Sequence, residues 1–403
     1  MLDTPFPPWP SFDEETAEAV RRTLLSNRVN YWTGEETRRF EVEFAAACGT
    51  DRAIALANGT LAIDLALHGL GIGPGDDVVV TPRTFIASVS SVVAAGARPV
   101  FADVDRDTQA LSAGTIEAAL TPATRAVVVV HLAGMPADMD PIMALAERRG
   151  IAVIEDCAQA HGACYRGRPV GSIGHVGAWS FCQDKIMTTG GEGGMVTTSD
   201  EALWRRMWAY KDHGKSWEAV YEREHPPGFR WLHESFGTNW RMTELQGVIG
   251  RLQTGRLPAW GAARRANAER IWDACAGIPW LRVPPVPDHV VHGAYKAYAF
   301  VEPGALPPGW TRDRVLAELH AAGVPAFSGS CSEVYLERAF DATPYRPAER
   351  LPVARELGET SLMFLVHPTL EPVHVEAVRE ALGRVDRLVE ADRRGGARAV
   401  AAG

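Results

Sequence analysis

Lysine is scarce in this chain. Lysine and arginine together number 41, yet only Lys185, Lys211, Lys215 and Lys296 are lysines. Chemistry that needs a primary amine therefore has four candidates. Lys185 stands in WSFCQDKIMTTGGEGGMV (179–196), between an apolar run and a turn built on Gly190, Gly191, Gly193 and Gly194. A lysine beside a desolvated, cationic or cofactor-filled site can lose its proton and attack a carbonyl carbon. Ser180, five residues earlier, can donate to an anion. A second tract, VIEDCAQAHGA (153–163), sets Glu155 and Asp156 side by side where an apolar run ends. A buried carboxylate needs a partner; an ion pair and a protonated heteroaromatic nitrogen both answer. A third tract, NGTLAIDLALHGLG (58–71), opens a helix with Asn58-Gly59-Thr60. Helix N-termini carry free N–H groups and partial positive charge, so they suit anions, and Thr60 adds a hydroxyl. A plain N-cap by Asn58 is the competing reading.

These residues need a scaffold. Short apolar runs alternate with helical stretches from about 50 to 200: AIAL (53–56), VVVT (78–81), RPVFADV (98–104), AVVVVH (126–131), IAVIED (151–156) and HVGAWSF (175–181). Continuous rather than alternating runs fit strands covered on both faces. The β-α-β series predicts a mainly parallel α/β sheet. Residues 140–149 read as a helix with Asp140 as N-cap, Pro141 at its first position and Gly150 past its end. Ser11 and Glu14 give a capping-box signal for a helix running to Leu25, and Thr243 with Gln246 gives a second. Beyond it, 292–303 reads as a strand and 311–323 as a helix. The expected divisions are an N-terminal arm and first helix over 1–25, a large α/β domain over 26–254, a small α+β domain over 255–390 and a flexible tail over 391–403.

Composition narrows the classes. With 46% hydrophobic and 23% charged residues the chain is neither disordered nor fibrous. No window holds the roughly 18 uninterrupted apolar residues of a membrane helix, and the acidic, Pro-rich start is not a signal peptide. A cytoplasmic protein is expected. A net charge of −9 without a basic run disfavours nucleic acid. The six cysteines form no C-x-x-C pair, so no metal site or disulfide framework is expected; they read as small, mostly buried hydrophobes. The glycines at 69, 71, 73 and 75 lack the dinucleotide spacing G-x-G-x-x-G. An anion site, a buried acid and an amine on one sheet together meet the needs of pyridoxal 5′-phosphate: a phosphate cradle, a carboxylate for the ring nitrogen and a Schiff-base lysine.

At these residues the sequence resembles the DegT/DnrJ/EryC1/StrS family of pyridoxal phosphate-dependent sugar aminotransferases of fold type I, over about residues 5–385. The resemblance rests on NGTLAI, PGDDVVVTPRTFIAS (74–88), EDCAQAHGA, the S-F-x-x-x-K tract with GEGG, FGTNWRMTELQGVIG (236–250) and LPVARELGETSLMFLVHPTL (351–370). It implies a large domain with a mainly parallel seven-stranded sheet and a smaller C-terminal α+β domain. Lys185 would hold the cofactor and shuttle the proton between donor α-carbon and cofactor. Asp156 would keep the pyridine nitrogen protonated, Gln159 would bond the phenolic oxygen and Phe85 would stack on the ring. Gly59, Thr60 and Ser180 would cradle the phosphate, and Asn239 would reach the phosphate of the neighbouring subunit in a homodimer. The implied donor is L-glutamate. The implied acceptor is a nucleotide-linked 4-keto-6-deoxyhexose, a C3 ketone or a keto-cyclitol being the alternatives. Lys185 argues against the branch that carries histidine there and dehydrates. Two departures stand out. TTGGEGG has one glycine more than the family's usual turn. The stretch 211–234 is long and aromatic, so that Lys211, His213, Lys215, Arg230 and Trp231 face either a diphosphate-sugar or solvent.

Overall fold

The computed structural model describes residues 5–401; residues 1–4 of the expected arm and 402–403 of the expected tail lie outside them. The first nine strands are β1 (Arg52–Leu56), β2 (Asp77–Val80), β3 (Arg98–Phe101), β4 (Thr124–Val130), β5 (Ala152–Asp156), β6 (Cys164–Tyr165), β7 (Arg168–Pro169), β8 (Val176–Ser180) and β9 (Gly194–Thr198). Seven of them form one sheet in the order β1-β9-β8-β5-β4-β2-β3. Neighbours are parallel except β9, which runs antiparallel to both β1 and β8. This is the mainly parallel seven-stranded sheet expected of fold type I. β9 was absent from the apolar runs because GMVTT mixes glycine and threonine, yet all five residues are buried.

Successive side chains of a strand point to opposite faces, and the core divides accordingly. Val78, Val80, Val128 and Ile154 pack on one face, Val79, Val127, Val129 and Val153 on the other. Helices cover both, which is why the runs read as continuously apolar. Five further strands follow: β10 (Leu281–Arg282), β11 (Val290–Val291), β12 (Lys296–Val301), β13 (Ala326–Phe327) and β14 (Ser361–Leu365). Four make an antiparallel sheet, β10-β12-β14-β13, over a second core that includes Ile271, Trp280, Phe364 and Leu382. The pair β6-β7 joins β11 in a short ribbon.

Several local signals land one or two residues away from their expected places. The first helix, Glu14–Leu25, is capped by Asp13 rather than Ser11, its carboxylate accepting from the Thr16 N–H. The helix expected to start at Asp140 starts at Met139, with Asp140 inside its first turn, and ends as foreseen at left-handed Gly150. The Thr243–Gln246 capping box does form. From it one helix runs Glu244–Ala276 straight through the boundary expected at 254/255, with Pro258 inside it. Proline removes a single N–H and does not stop a helix whose two halves are packed against different cores. The last helix begins at Pro372 and continues to Ala401. Residues 391–401 are therefore helical, and Asp392 accepts from Trp310 Nε1 at 2.9 Å and Arg314 Nη2 at 3.0 Å. Three cysteines, Cys48, Cys157 and Cys275, are buried, whereas Cys331 is exposed.

Glu155, in β5, locks the sheet to the loop before β8. It is fully buried and accepts from the backbone N–H groups of Gly171 (2.9 Å), Ile173 (2.8 Å) and Gly174 (2.6 Å) and from His131 Nε2 (2.9 Å). His131 Nδ1 accepts the Ala137 N–H at 3.1 Å, so the ring proton sits on Nε2 and points at Glu155. Burial pushes this carboxyl up, but His131 and the backbone donors outweigh it and hold it below the ordinary range. Glu155→Ala strands those donors and is expected to cost about 3–5 kcal/mol, read as a lower denaturant midpoint. A carboxyl with a lowered folded-state pKa contributes stability above its ordinary pKa and loses it as pH falls through the folded value. The gap between wild type and variant should therefore narrow on acidification.

Candidate active site

The parallel strands deliver their C-terminal ends to one edge of the large sheet. β5 ends at Asp156, β8 at Ser180 and β1 at Leu56, while antiparallel β9 begins there at Gly194, opposite both Leu56 and Ser180. Open α/β sheets bind ligands at this edge.

Two residues separate β1 from the helix Gly59–Gly69. Asn58 is its N-cap, its side chain accepting the Leu61 N–H at 3.1 Å. Two glycines let this N-terminus press against the strand ends. A Cβ on Gly59 would lie 2.5 Å from the Ser180 Cβ, and one on Gly194 only 2.1 Å from the Asn58 carbonyl oxygen. Capping and anion binding are thus compatible here, because the Asn58 cap leaves the N–H groups of Gly59 and Thr60 outside any described hydrogen bond. The Thr60 side chain is exposed, and the Ser180 hydroxyl accepts from the Cys182 N–H at 3.3 Å, its own proton remaining for a ligand.

Asp156 differs from its neighbour. Its oxygens accept from Ser88 Oγ at 2.8 Å and the Ala158 N–H at 3.1 Å. Among the described residues no cationic side chain forms an ion pair with it, which sets aside the salt-bridge reading. Burial pushes its carboxyl up, opposed by Ser88, the Ala158 N–H and the charge of Lys185. Such a group gains from a protonated partner brought in by a ligand.

Lys185 lies in the loop from β8 to β9. Its backbone N–H bonds the Cys182 carbonyl at 3.1 Å, and its carbonyl accepts Trp9 Nε1 at 2.7 Å from the N-terminal arm. The extra glycine of TTGGEGG has a use: Gly190 (φ 90°) and Gly191 (φ 121°) both occupy the left-handed region. Thr188 then bonds Gln253 Oε1 through its N–H at 2.7 Å and the Phe181 carbonyl through its hydroxyl at 2.9 Å. These contacts fix the loop, and the Lys185 amine sits 3.5 Å from Asp184 Oδ1. Asp184 in turn accepts from the Tyr295 hydroxyl.

A cavity of about 530 Å³ joins Lys185 to Phe85, Gln159, Asp184, Tyr295 and Lys296. Gln159 Oε1 accepts the Ala133 N–H at 2.7 Å, which leaves its amide N–H groups as the free donors. Phe85 is 70% exposed at the mouth. Asn239 is exposed and does not line this cavity; its backbone pairs with Asp212, which is buried and bonded by Arg241 Nη1 at 2.6 Å. The expectation that Lys211 and Lys215 could face a diphosphate fails. Lys211 is fully buried, 3.8 Å from the Tyr31 ring centroid, and Lys215 lies 3.4 Å from Asp212 and 4.2 Å from the Trp32 ring. Trp231 is 81% exposed.

Sequence reasoning missed Trp9, Ser88, Asp184, Tyr295 and Lys296 as parts of this site. Only Lys296 carried a signal, as one of four lysines. The others are common residue types brought in from distant segments.

The DegT/DnrJ/EryC1/StrS aminotransferase family matches residues 10–383. The dTDP-3-amino-3,4,6-trideoxy-alpha-D-glucose transaminase of Streptomyces venezuelae is 37% identical over 380 residues, 93% of each chain. The L-glutamine:2-deoxy-scyllo-inosose aminotransferase of Streptomyces kanamyceticus is 37% identical over 337 residues, 80% of this chain and 78% of that one. The X-ray structure of an aminotransferase from Psychrobacter cryohalolentis superposes with a TM-score of 0.95 at 61% identity, covering 96% of this chain and 100% of that one. With the lysine loop, the buried acid and the glycine-seated helix at one sheet edge, these matches lead to one conclusion: the chain belongs to the DegT/DnrJ/EryC1/StrS aminotransferase family and is a pyridoxal 5′-phosphate-dependent sugar aminotransferase.

Proposed function

We propose that this enzyme moves an amino group from L-glutamate to a nucleotide-linked keto-6-deoxyhexose, with the ketone at C4 or, as the alternative, C3. The observation that carries the reading is the cavity that Lys185 lines together with Phe85 and Gln159, next to a buried Asp156 that forms no ion pair among the described residues. The residues suit the cofactor: the glycine cradle at Gly59 would lose its room to any Cβ, and the acid lacks the positive charge a pyridinium brings. When bound, pyridoxal 5′-phosphate supplies an aldehyde for the donor amine and a protonated ring that takes up electrons from the broken Cα–H bond.

Each residue then has a task. Lys185 Nζ would take the proton from the donor α-carbon as a general base and deliver it, as a general acid, to the cofactor carbon that carries the transferred nitrogen. Asp156 keeps the proton on the ring nitrogen, because its own burial makes that positive charge welcome. Gln159 donates to the phenolic oxygen, and Phe85 covers one ring face. Gly59, Thr60 and Ser180 hold the phosphate at the helix N-terminus. Asn239, which does not line the Lys185 cavity of its own chain, serves the phosphate of a second copy in a homodimer. A cytoplasmic setting suits six unpaired cysteines.

The acceptor reading draws support from the Streptomyces venezuelae relative, which spans 93% of the chain and is named for a dTDP-linked amino sugar. The relative named for 2-deoxy-scyllo-inosose supports a second reading, a keto-cyclitol acceptor, over a smaller share.

Adding L-glutamate to the holoenzyme should shift its visible-edge absorption to shorter wavelength, and a matching keto substrate should reverse it. A panel of C3-keto and C4-keto nucleotide sugars and keto-cyclitols identifies the acceptor; a spectrum that ignores every amino donor refutes transamination. Lys185→Ala should remove the band and lower the half-reaction by roughly 10²–10⁴-fold, while a full-rate variant would sink the assignment. Asp156→Asn should keep bound cofactor but slow the donor half-reaction; wild-type single-turnover rates would refute its role. Mixing inactive Lys185→Ala and Asn239→Ala chains should restore roughly a quarter of wild-type activity, since each mixed dimer regains one intact site. Recovery of none would argue against a shared site.

A further inference from the structure

Three of the four lysines are paired with a carboxylate. Lys185 lies 3.5 Å from Asp184, Lys211 3.9 Å and Lys215 3.4 Å from Asp212. Lys296 is the exception. Among the described residues its ammonium makes no hydrogen bond and no ion pair within 4.0 Å, and it rests 4.7 Å from the Tyr295 ring centroid. It opens β12 of the smaller sheet and lines the cavity that holds Lys185, whose amine is 5.2 Å from the centroid of the same ring. Asp184, the acid whose charge acts on Lys296, is committed to Lys185 and to the Tyr295 hydroxyl. Glu337 also lines the cavity, but the charges acting on Lys296 are Asp184, Arg264 and Lys185. The site thus presents a second ammonium beside the reacting one, partly buried and without a counter-ion.

We infer that Lys296 receives the α-carboxylate of the amino-acid donor. The inference rests on the transamination reading of this cavity. A donor must bring its α-amino nitrogen to the position of Lys185, which leaves its α-carboxylate two bonds away, within the same part of the cavity. The diphosphate of a nucleotide sugar hangs from C1, a sugar ring's width from a C3 or C4 ketone. A cation that shares Tyr295 with Lys185 therefore suits the carboxylate and not the diphosphate. Lysine presents a compact charge with three rotatable donors, enough to follow a carboxylate that tilts during reaction. Burial lowers Lys296 to about 8, with Asp184 raising it and Arg264 and Lys185 lowering it further. An incoming carboxylate would reverse that loss, so the residue gains from the ligand it is proposed to bind.

The test uses the holoenzyme with Lys296→Gln and Lys296→Arg. Spectral titration gives the half-saturating L-glutamate for the first half-reaction and the half-saturating keto substrate for the second. Lys296→Gln should raise the donor value at least about tenfold, Lys296→Arg should recover most of it, and the acceptor value should stay within about twofold of wild type. Unchanged donor saturation overturns the inference. So does equal weakening of both halves, which is a structural effect, or weakening of the acceptor alone, which would make Lys296 a diphosphate ligand. Calorimetry with 2-oxoglutarate reads the same site without turnover, and Lys296→Gln should lose about tenfold there too. A wild-type spectrum that ignores amino donors refutes the transamination reading instead; the calorimetric result then still decides whether Lys296 binds a carboxylate. Should Lys296→Gln fail to fold, Lys296→Met takes its place, with the same expected loss of about tenfold for 2-oxoglutarate and with wild-type binding as the result that overturns the inference.

Discussion

A carboxylate taken out of water must be compensated, and this protein handles two of them on adjacent residues of one strand in opposite ways. Glu155 and Asp156 leave β5 on opposite faces. Glu155 is compensated in full by three backbone N–H groups and His131, and it becomes a rivet between the sheet and the loop leading into β8. Asp156 has one hydroxyl and one backbone N–H and, among the described residues, no ion pair. The same physics makes one a structural anchor and the other a group whose burial is only repaid by a positively charged ligand.

The rest of the site is built around that end of β5. Backbone approach, not side-chain size, sets the anion-binding corner: Gly59 and Gly194 leave no space for a Cβ between the first helix after β1 and the ends of β8 and β9. The lysine loop is held on several sides, by Trp9 from the arm, by Gln253 from the long helix and by the paired left-handed glycines. A reacting amine needs this, because misplacement by about an ångström can cost two orders of magnitude in rate. The smaller sheet contributes Tyr295 and Lys296 to the same cavity, so the two cores are joined by chemistry as well as by the Glu244–Ala276 helix.

Much of this was legible in the chain itself. Scarcity of lysine pointed to Lys185, because glycines and apolar residues around it left no bland use for a charge. Continuous apolar runs gave six of the seven large-sheet strands, since burial on both faces erases alternation. The missing one, β9, is a glycine- and threonine-rich strand whose burial is imposed by its neighbours on either side, not by its own composition. Caps slipped by two residues, Ser11 giving way to Asp13 and Asp140 to Asp138, because several adjacent polar residues could each begin a helix and only packing chooses among them.

Residue type, order and local spacing therefore determined the fold class, the family and the lysine, acid and glycine tracts that meet at the sheet edge, since strand ends and helix starts are local properties. Only the tertiary structure decided which charges are free. It buried Lys211 against Tyr31, tied Lys215 to Asp212, gave Glu155 its donors and left Lys296 uncommitted beside Lys185. The reason is that a charge's partners come from segments far away in sequence, and no spacing along the chain records them.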